Sequence, residues 1–226
     1  MNNKSNLVIY ELNELPLKLL NYYLSLNPHG GFGKLIQEGL FTSTICTNKG
    51  ELHPWSTWPT FHRGVTNMQH NINYINQDLE EINTTYPPIW SLLNERRITT
   101  GVFGSLQSYP PIVNKYSLFY LPDTFSPDPI AYPISLSIFQ QFNLKLVSQN
   151  KATAGKFSLG DFSKFLQLVL LGSFSNTSLF KTVLHLIKEI FSSKYRTKRS
   201  LFQSILSFDL FYKHLLHFRP QFSTYF

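Results

Sequence analysis

The sequence predicts a right-handed α/β sandwich with a mainly helical insert in its second half. Two observations lead to this fold class. Through the first half, short apolar runs typical of buried parallel strands alternate with segments of helical periodicity. Residues 134–218 instead carry apolar stripes at helical spacing. With 226 residues, of which 42% are apolar, the chain is long enough to bury one large core.

The first predicted elements are a strand, two helices and a second strand. Leu7–Leu12 is apolar and gives way to a polar Asn-Glu pair, as a strand buried on both faces does at its carboxyl end. Leu17–Leu26 has the apolar spacing of a crossover helix, and Phe32–Gly39 that of a short helix closed by a glycine. Leu40–Thr47 predicts the second strand.

Further helices and a third strand complete the predicted core. A helix is expected to begin near Thr57, and Ile89–Arg97 predicts an amphipathic helix. Thr99–Ser105 predicts the third strand. Residues 106–133 are rich in Pro, Ser and Tyr and lack periodicity. They therefore predict a long irregular segment, of the kind that often forms a functional lid.

The predicted domains are an α/β core over residues 1–133, a helical insert or cap over 134–218, and the start of a further core strand over 219–226. Two apolar stripes indicate the main helices of the insert. They comprise Leu179, Val183, Leu186, Ile187 and Ile190, and then Leu201, Ile205, Phe208, Tyr212, Leu215 and Leu216. The basic run Lys194–Arg199 lies between them, and a solvated loop is favoured over nucleic-acid binding for it.

The net charge of +7 falls on one half of the chain. Residues 1–110 hold 7 Lys and Arg against 8 Asp and Glu, whereas residues 111–226 hold 13 against 5. The basic half fits an anionic partner, an anionic substrate or a membrane surface, and a solvated basic face is the competing interpretation. It lacks the interleaved aromatic and basic residues of a base-stacking groove, so no nucleic-acid motif is assigned.

Three further features bear on location and chemistry. The start of the sequence lacks the pattern of a secretory signal, which predicts a cytoplasmic protein. The most apolar windows, 165–174 and 179–191, are too short or too interrupted by charge to be transmembrane helices. The single cysteine, Cys46, excludes an internal disulfide and is expected to be a buried small hydrophobe.

The segment Pro54–Ile72 carries the strongest functional signal. Its Thr57 is followed at once by Trp58-Pro59, and proline is favoured at the first position of a helix. The free N–H groups and positive dipole end of a helix starting there would face whatever the Thr57 hydroxyl faces. Such a turn suits phosphate or sulfate.

Residues 7–105 and the closing strand resemble the alkaline phosphatase superfamily, within it the type I phosphodiesterases and nucleotide pyrophosphatases. The matching pieces are, in order, LVIYELNE, STWPTFHRG, HNI and PPIWSLLNERRITTGVFGS. The resemblance implies part of an α/β/α sandwich and hydrolysis of phosphodiesters, pyrophosphates or sulfate esters. It makes Thr57 the nucleophile and also a metal ligand in a site for two divalent ions, with zinc as the expected metal.

The resemblance also assigns the neighbouring site residues. Asn13 stands where the superfamily has a first-strand aspartate ligand, and its neutral carbonyl oxygen is a weaker ligand for a divalent cation. Glu11 and Glu14 flank it, and either is a candidate replacement. Thr60 matches a residue that helps to hold the transferred group. Arg63 is a candidate anion contact, with a surface or interhelix role as the equal alternative.

The later Asp and His ligands of the superfamily have no counterpart in this sequence. His53 and His62 bracket Thr57 as candidate replacements. The chain therefore resembles the first half of such a hydrolase, and two functions stay open. One is an enzyme that uses Thr57, and the other is an inactive truncated remnant or anion-binding module of the same fold. Strands supplied by a missing half would leave an exposed sheet edge, which predicts self-association.

Overall fold

The structure, a computed structural model, is an α/β fold described over residues 6–46, 50, 52–148, 159–170 and 174–226. Its strands are β1 (Leu7–Tyr10), β2 (Thr100–Phe103), β3 (Ser117–Leu121) and β4 (Phe222–Tyr225). Its helices are α1 (Leu17–Leu26), α2 (Gly31–Glu38), α3 (Pro54–Arg63), α4 (Asn67–His70), α5 (Glu80–Thr85), α6 (Ile89–Glu95), α7 (Leu136–Ser148), α8 (Leu159–Leu170), α9 (Asn176–Phe191) and α10 (Arg199–Phe218), with a 3-10 helix at Ser193–Lys198.

The four strands form a parallel sheet in the order β1-β4-β2-β3. The last strand of the chain thus lies inside the sheet, with Phe222 opposite Leu7 on one side and Thr100 on the other. Residues 1–133 supply three of the strands and residues 219–226 the fourth. Because the strands are parallel, their carboxyl ends share one edge, which is where ligands bind in open α/β folds.

Helices cover both faces of the sheet, as the alternation of side chains along buried strands requires. On one face, Phe103, Phe119 and Tyr225 pack in a core with residues of α7, α8 and α10. On the other face, Trp90 of α6 packs with Val102, Tyr120 and Phe222. The predicted α/β class is confirmed. None of the helices in the described ranges combines the length and apolar character needed to cross a bilayer.

Most predicted elements are present at their expected places. The ends of β1, α1, α2, α6 and β2 each lie within two residues of the predicted ends. The described residues between 134 and 218 are largely helical, as predicted. These elements carry strong local signals, namely apolar periodicity and glycine or polar ends, which tertiary packing did not override.

The predicted second strand at Leu40–Thr47 is wrong over the described residues 40–46, which form no regular element. Leu40 and Ile45 are 94% and 93% exposed, and Cys46 is also exposed rather than buried. Thr47 lies outside the described residues. An apolar run becomes a strand only if a neighbouring strand pairs with it, and neither edge strand of the sheet, β1 or β3, pairs with residues 40–46.

Residues 106–133, predicted to be irregular, contain β3. The run Ser117–Leu121 is only five residues long and lies in a proline-rich segment, so its sequence did not indicate a strand. It is nevertheless buried and pairs with β2. A strand of this length depends on its partner strand more than on its own sequence.

Only part of each apolar stripe predicted for the insert packs against the core, namely Leu179 of the first and Leu215 of the second. On α10, the buried residues are Leu206, Leu210 and Phe211, whereas Leu201 and Leu216 are exposed. On α9 the buried stripe is polar. Helical periodicity identified these helices correctly, but it did not determine which side of each helix packs.

Candidate functional site

The helix that carries Thr57 begins three residues earlier than predicted. Pro54, not Pro59, takes the first helical position, and Gly64 ends the helix in the left-handed conformation at φ 68°. Pro59 lies inside the helix. The His53 carbonyl accepts the N–H groups of Ser56 and Thr57 at 3.0 and 2.9 Å. The Thr57 N–H is therefore engaged in the helix, contrary to the predicted free group at a helix start.

The Thr57 hydroxyl is half-buried and turned back along its own helix. It donates to the His53 carbonyl at 3.1 Å. Five residues separate Thr57 from His62, which is about 140° around an α-helix. The hydroxyl and the His62 ring therefore point to different sides of α3.

The turn after β1 contacts α3 through Trp58, on the side of the helix that also carries His62. Asn13 is exposed, and its side-chain carbonyl oxygen accepts from the Trp58 indole N–H at 3.1 Å. Glu14 is exposed as well and has a left-handed backbone, at φ 51°. Asn13 thus holds the β1 turn against α3.

Glu11 is the flanking acid that the fold buries. Its backbone N–H extends the β1–β4 ladder, donating to Tyr225 at 2.7 Å. Its Oε1 lies 3.0 Å from His62 Nε2 and accepts from the Ser105 hydroxyl at 3.2 Å. Ser105 also lies 2.7 Å from Thr224 of β4. Glu11 Oε2 is buried and has no hydrogen-bond partner among the described residues.

The His62 ring is enclosed by aromatic side chains. It stacks on Trp58 at 5.9 Å between ring centroids and lies 5.1 Å from Trp90. Both members of the Glu11–His62 pair are almost fully buried. The pair therefore joins β1 to α3 beneath the carboxyl edge of the sheet.

Thr60 belongs to a second polar cluster, with His70. The Ile72 N–H donates to His70 Nδ1 at 2.9 Å, so the proton of the neutral ring lies on Nε2 and points at the Thr60 hydroxyl 2.9 Å away. Burial, and next the charge of Arg63, lower the pKa of His70 to about 4. His70 is neutral at pH 7, and the cluster connects α3 to α4.

Arg63 is buried and connects α3 to α5. Its guanidinium donates to the Tyr86 carbonyl and, at 2.8 Å, to Asn83 Oδ1. Burial lowers the pKa of Arg63 to about 10, which leaves the side chain charged at pH 7. The interhelix role, one of its two predicted alternatives, is the one that these contacts describe.

A cavity of about 260 Å³ opens at the carboxyl edge, beside the first turn of α3. It is lined by Trp55 of α3, by Leu106 and Gln107 after β2, and by Asp123 and Phe125 after β3. The Asp123 carboxylate accepts N–H groups of Phe125 and Ser108 at 2.8 and 3.3 Å, and burial raises its pKa. Aromatic rings with amide and carboxyl groups suit the ring-containing, hydroxylated part of an organic ligand.

Sequence reasoning did not find the carboxyl-edge cavity, and it named Glu11 and His62 only separately, as candidate ligands, without predicting that they pair. Glu11 directly follows an apolar run and lies on the same side of it as Ile9, which was the available signal. The cavity depends on β3, which was not predicted, so no sequence pattern placed Asp123 near Trp55. The two features adjoin along Ser105–Gln107.

Comparison of the chain with models of protein families, with curated proteins and with solved structures found no match.

Proposed function

We propose that the chain binds an ester of phosphate or sulfate at the carboxyl edge of its sheet and does not hydrolyse it by itself. The cavity at Trp55 carries this proposal, because it lies where ligands of parallel α/β sheets bind. Its rings and amides would receive the organic part of the ester. The acid group would lie toward the first turn of α3, whose dipole favours negative charge, and away from the Asp78 and Asp123 carboxylates that also line the cavity.

The positions of the predicted catalytic groups support binding without turnover. The Thr57 hydroxyl donates to its own helix, and Arg63 is held by α5. Neither side chain lines the cavity. A nucleophile must instead be held by a base and aimed at the reacting atom.

The described residues by themselves do not fit the two-metal zinc site that the superfamily resemblance implies. A zinc ion in a catalytic site takes three protein ligands. Within the described ranges, no three His, Cys, Asp or Glu side chains come close enough to hold an ion. Glu11 and His62 are two such groups, and Asn13 is already bonded to Trp58. No hydrolytic step is assigned through a metal.

The second candidate is a hydrolase of phosphoesters or sulfate esters with Thr57 as the nucleophile. One observation favours it. Thr57 lies at the same end of α3 as the cavity-lining Trp55, about one-half turn around the helix from it. A rotation of the Thr57 side chain away from His53 would free its hydroxyl for an ester bound nearby.

One set of measurements separates the two candidates. Calorimetric titration with bis(p-nitrophenyl) phosphate measures binding, and absorbance in the presence of zinc or manganese measures turnover. Binding without turnover that is weakened by Phe125→Ala, but not by Phe61→Ala, supports the binding proposal. Phe61 is a matched control because it is an exposed phenylalanine of α3 outside the cavity.

Metal-dependent turnover that is lost in Thr57→Ala would instead support the hydrolase. Thr84→Ala is the control, since the Thr84 hydroxyl makes the same bond to the carbonyl four residues back, on α5. A chain that neither binds nor cleaves the diester would overturn both candidates.

A further inference from the structure

Helix α9 is amphipathic, but its polar side faces inward. The buried side chains are Ser178, Thr182, His185 and Glu189, which recur at the spacing of one helix face. The opposite face is apolar and exposed. It comprises Phe180, Val183, Leu184, Ile187 and Phe191, which we term the α9 apolar face.

Contacts on the polar side fix this orientation. The His185 ring stacks on Phe202 of α10, with centroids 4.1 Å apart and planes 18° apart. Its Nε2 lies 3.8 Å from Glu189 Oε2, one turn further along α9. The Ser175 hydroxyl caps the helix by accepting the Ser178 N–H at 3.2 Å. Since these groups pack inward, the α9 apolar face must point outward.

The exposure of the α9 apolar face is large for a helix of a globular protein. Phe180 and Phe191 are 69% and 85% exposed, and the three aliphatic members are 40–45% exposed. Single exposed apolar side chains are ordinary, but a contiguous face of five marks an interaction surface.

Lysines accompany this face. Lys181 and Lys188 are exposed and lie two turns apart. Viewed down the helix axis, both are about 100° from the middle of the α9 apolar face. Lys194 and Lys198, also exposed, follow the end of α9 in the 3-10 helix. They belong to the half of the chain whose charged residues are 13 basic and 5 acidic. The surroundings of the face therefore attract anions.

We propose that the α9 apolar face docks on the surface of an anionic lipid bilayer. The phenylalanine and aliphatic side chains would enter the boundary between headgroups and acyl chains, with the helix axis in the membrane plane. The lysines would reach the anionic headgroups through their long alkyl stems. A second copy of the chain is a poorer occupant, because packing α9 on α9 would bring two basic halves together.

Vesicle co-sedimentation of the full chain tests this proposal. We expect binding to vesicles of phosphatidylcholine with phosphatidylserine, and much weaker binding to phosphatidylcholine alone or at high salt. The double variant Phe180→Glu/Ile187→Glu should bind at least about tenfold more weakly. It removes two apolar side chains that would enter the bilayer, and its carboxylates would be repelled by the anionic headgroups. Lys181→Gln/Lys188→Gln should weaken only the binding to anionic vesicles.

The matched control is Leu35→Glu/Leu40→Glu, which places the same charges at two exposed leucines of the first half. Thermal unfolding followed by circular dichroism should be the same for all variants, since every altered side chain is exposed or half-exposed. Equal loss of binding in the control, equal binding to neutral vesicles, or no vesicle binding would overturn the proposal. So would a dimer that Phe180→Glu/Ile187→Glu dissociates in the absence of lipid.

Discussion

Strands β1 and β4 pair along their whole length, yet the more apolar of the two is the exposed one. β1 reads LVIY and lies at the edge of the sheet, where Leu7 and Tyr10 are about half exposed. β4 reads FSTY and is buried throughout, with Ser223 and Thr224 wholly inaccessible to solvent. Strand burial in this molecule thus follows position in the sheet rather than composition.

One of the two polar side chains of β4, Thr224, is accommodated by its surroundings. Thr224 shares a hydrogen bond with Ser105, which in turn contacts Glu11. Buried hydroxyls are inexpensive when they are bonded and costly when they are not. The Thr224 hydroxyl is thus bonded by a residue that follows β2, whereas the buried Ser223 hydroxyl has no hydrogen-bond partner among the described residues.

The largest expected effect is a difference in stability loss between substitutions at two residues that lie opposite each other in the sheet. Phe222→Ala should lower the free energy of unfolding by about 3–5 kcal/mol, because Phe222 is buried beside Trp90. Leu7→Ala, across the β1–β4 pair, should cost less than about 1 kcal/mol, since Leu7 is exposed. Urea unfolding measures both. Equal losses would mean that edge and centre do not differ as described.

The next effect concerns the two acids that flank Asn13. Glu11→Ala should destabilise the fold by about 1–3 kcal/mol, because it removes the carboxylate that pairs with the buried His62 ring. The control Glu14→Ala alters an exposed carboxylate and should remain within about 0.5 kcal/mol of the native protein. Unfolding by guanidinium measures the stability of the native protein and of the two variants. A larger loss of stability in Glu14→Ala than in Glu11→Ala would contradict the burial of Glu11.

A smaller effect should appear as a pH dependence. The folded pKa of His70 is about 4, below its ordinary value of 6.5, so the unfolded chain binds the proton first as pH falls. The stability contributed by neutral His70 is therefore complete above about pH 6.5 and is lost as pH falls toward 4. Unfolding free energies measured across this window should fall less steeply in His70→Gln.

His29→Gln provides the reference for that measurement, since His29 is exposed. It should keep the native slope, because replacing an exposed side chain leaves the buried surroundings of His70 unchanged. A native slope in His70→Gln would show that His70 does not contribute to the pH dependence.

The smallest effect on stability should come from the exposed edge itself. We propose that β1 mediates self-association at high concentration, and Val8→Lys should reduce it, as charged residues do on natural edge strands. Stability should change by less than about 0.5 kcal/mol. Val113→Lys is the control, because Val113 and Val8 are 41% and 42% exposed. Analytical ultracentrifugation that shows equal association in both variants would exclude the β1 edge.

Local sequence signals predicted most elements of the fold but fewer features of the site. The helix at Leu17–Leu26 was predicted correctly, because its signals, the apolar spacing and the turn residues that follow, lie within or next to the helix itself. Leu40–Thr47 has an equally good strand composition and failed over its described residues, because pairing is not local. Thr57 was correctly placed on a helix, but the first position of that helix belongs to Pro54.

The sequence by itself determined the α/β class, the position of most helices and the strand ends from which polar residues emerge, because periodicity and turn chemistry act within a few residues. Only the tertiary structure decided that β4 lies between β1 and β2, that Glu11 meets His62, and that α9 turns its apolar face outward. These outcomes depend on contacts between residues far apart in the chain. A side chain's surroundings, rather than its own hydropathy, then determine whether it is buried.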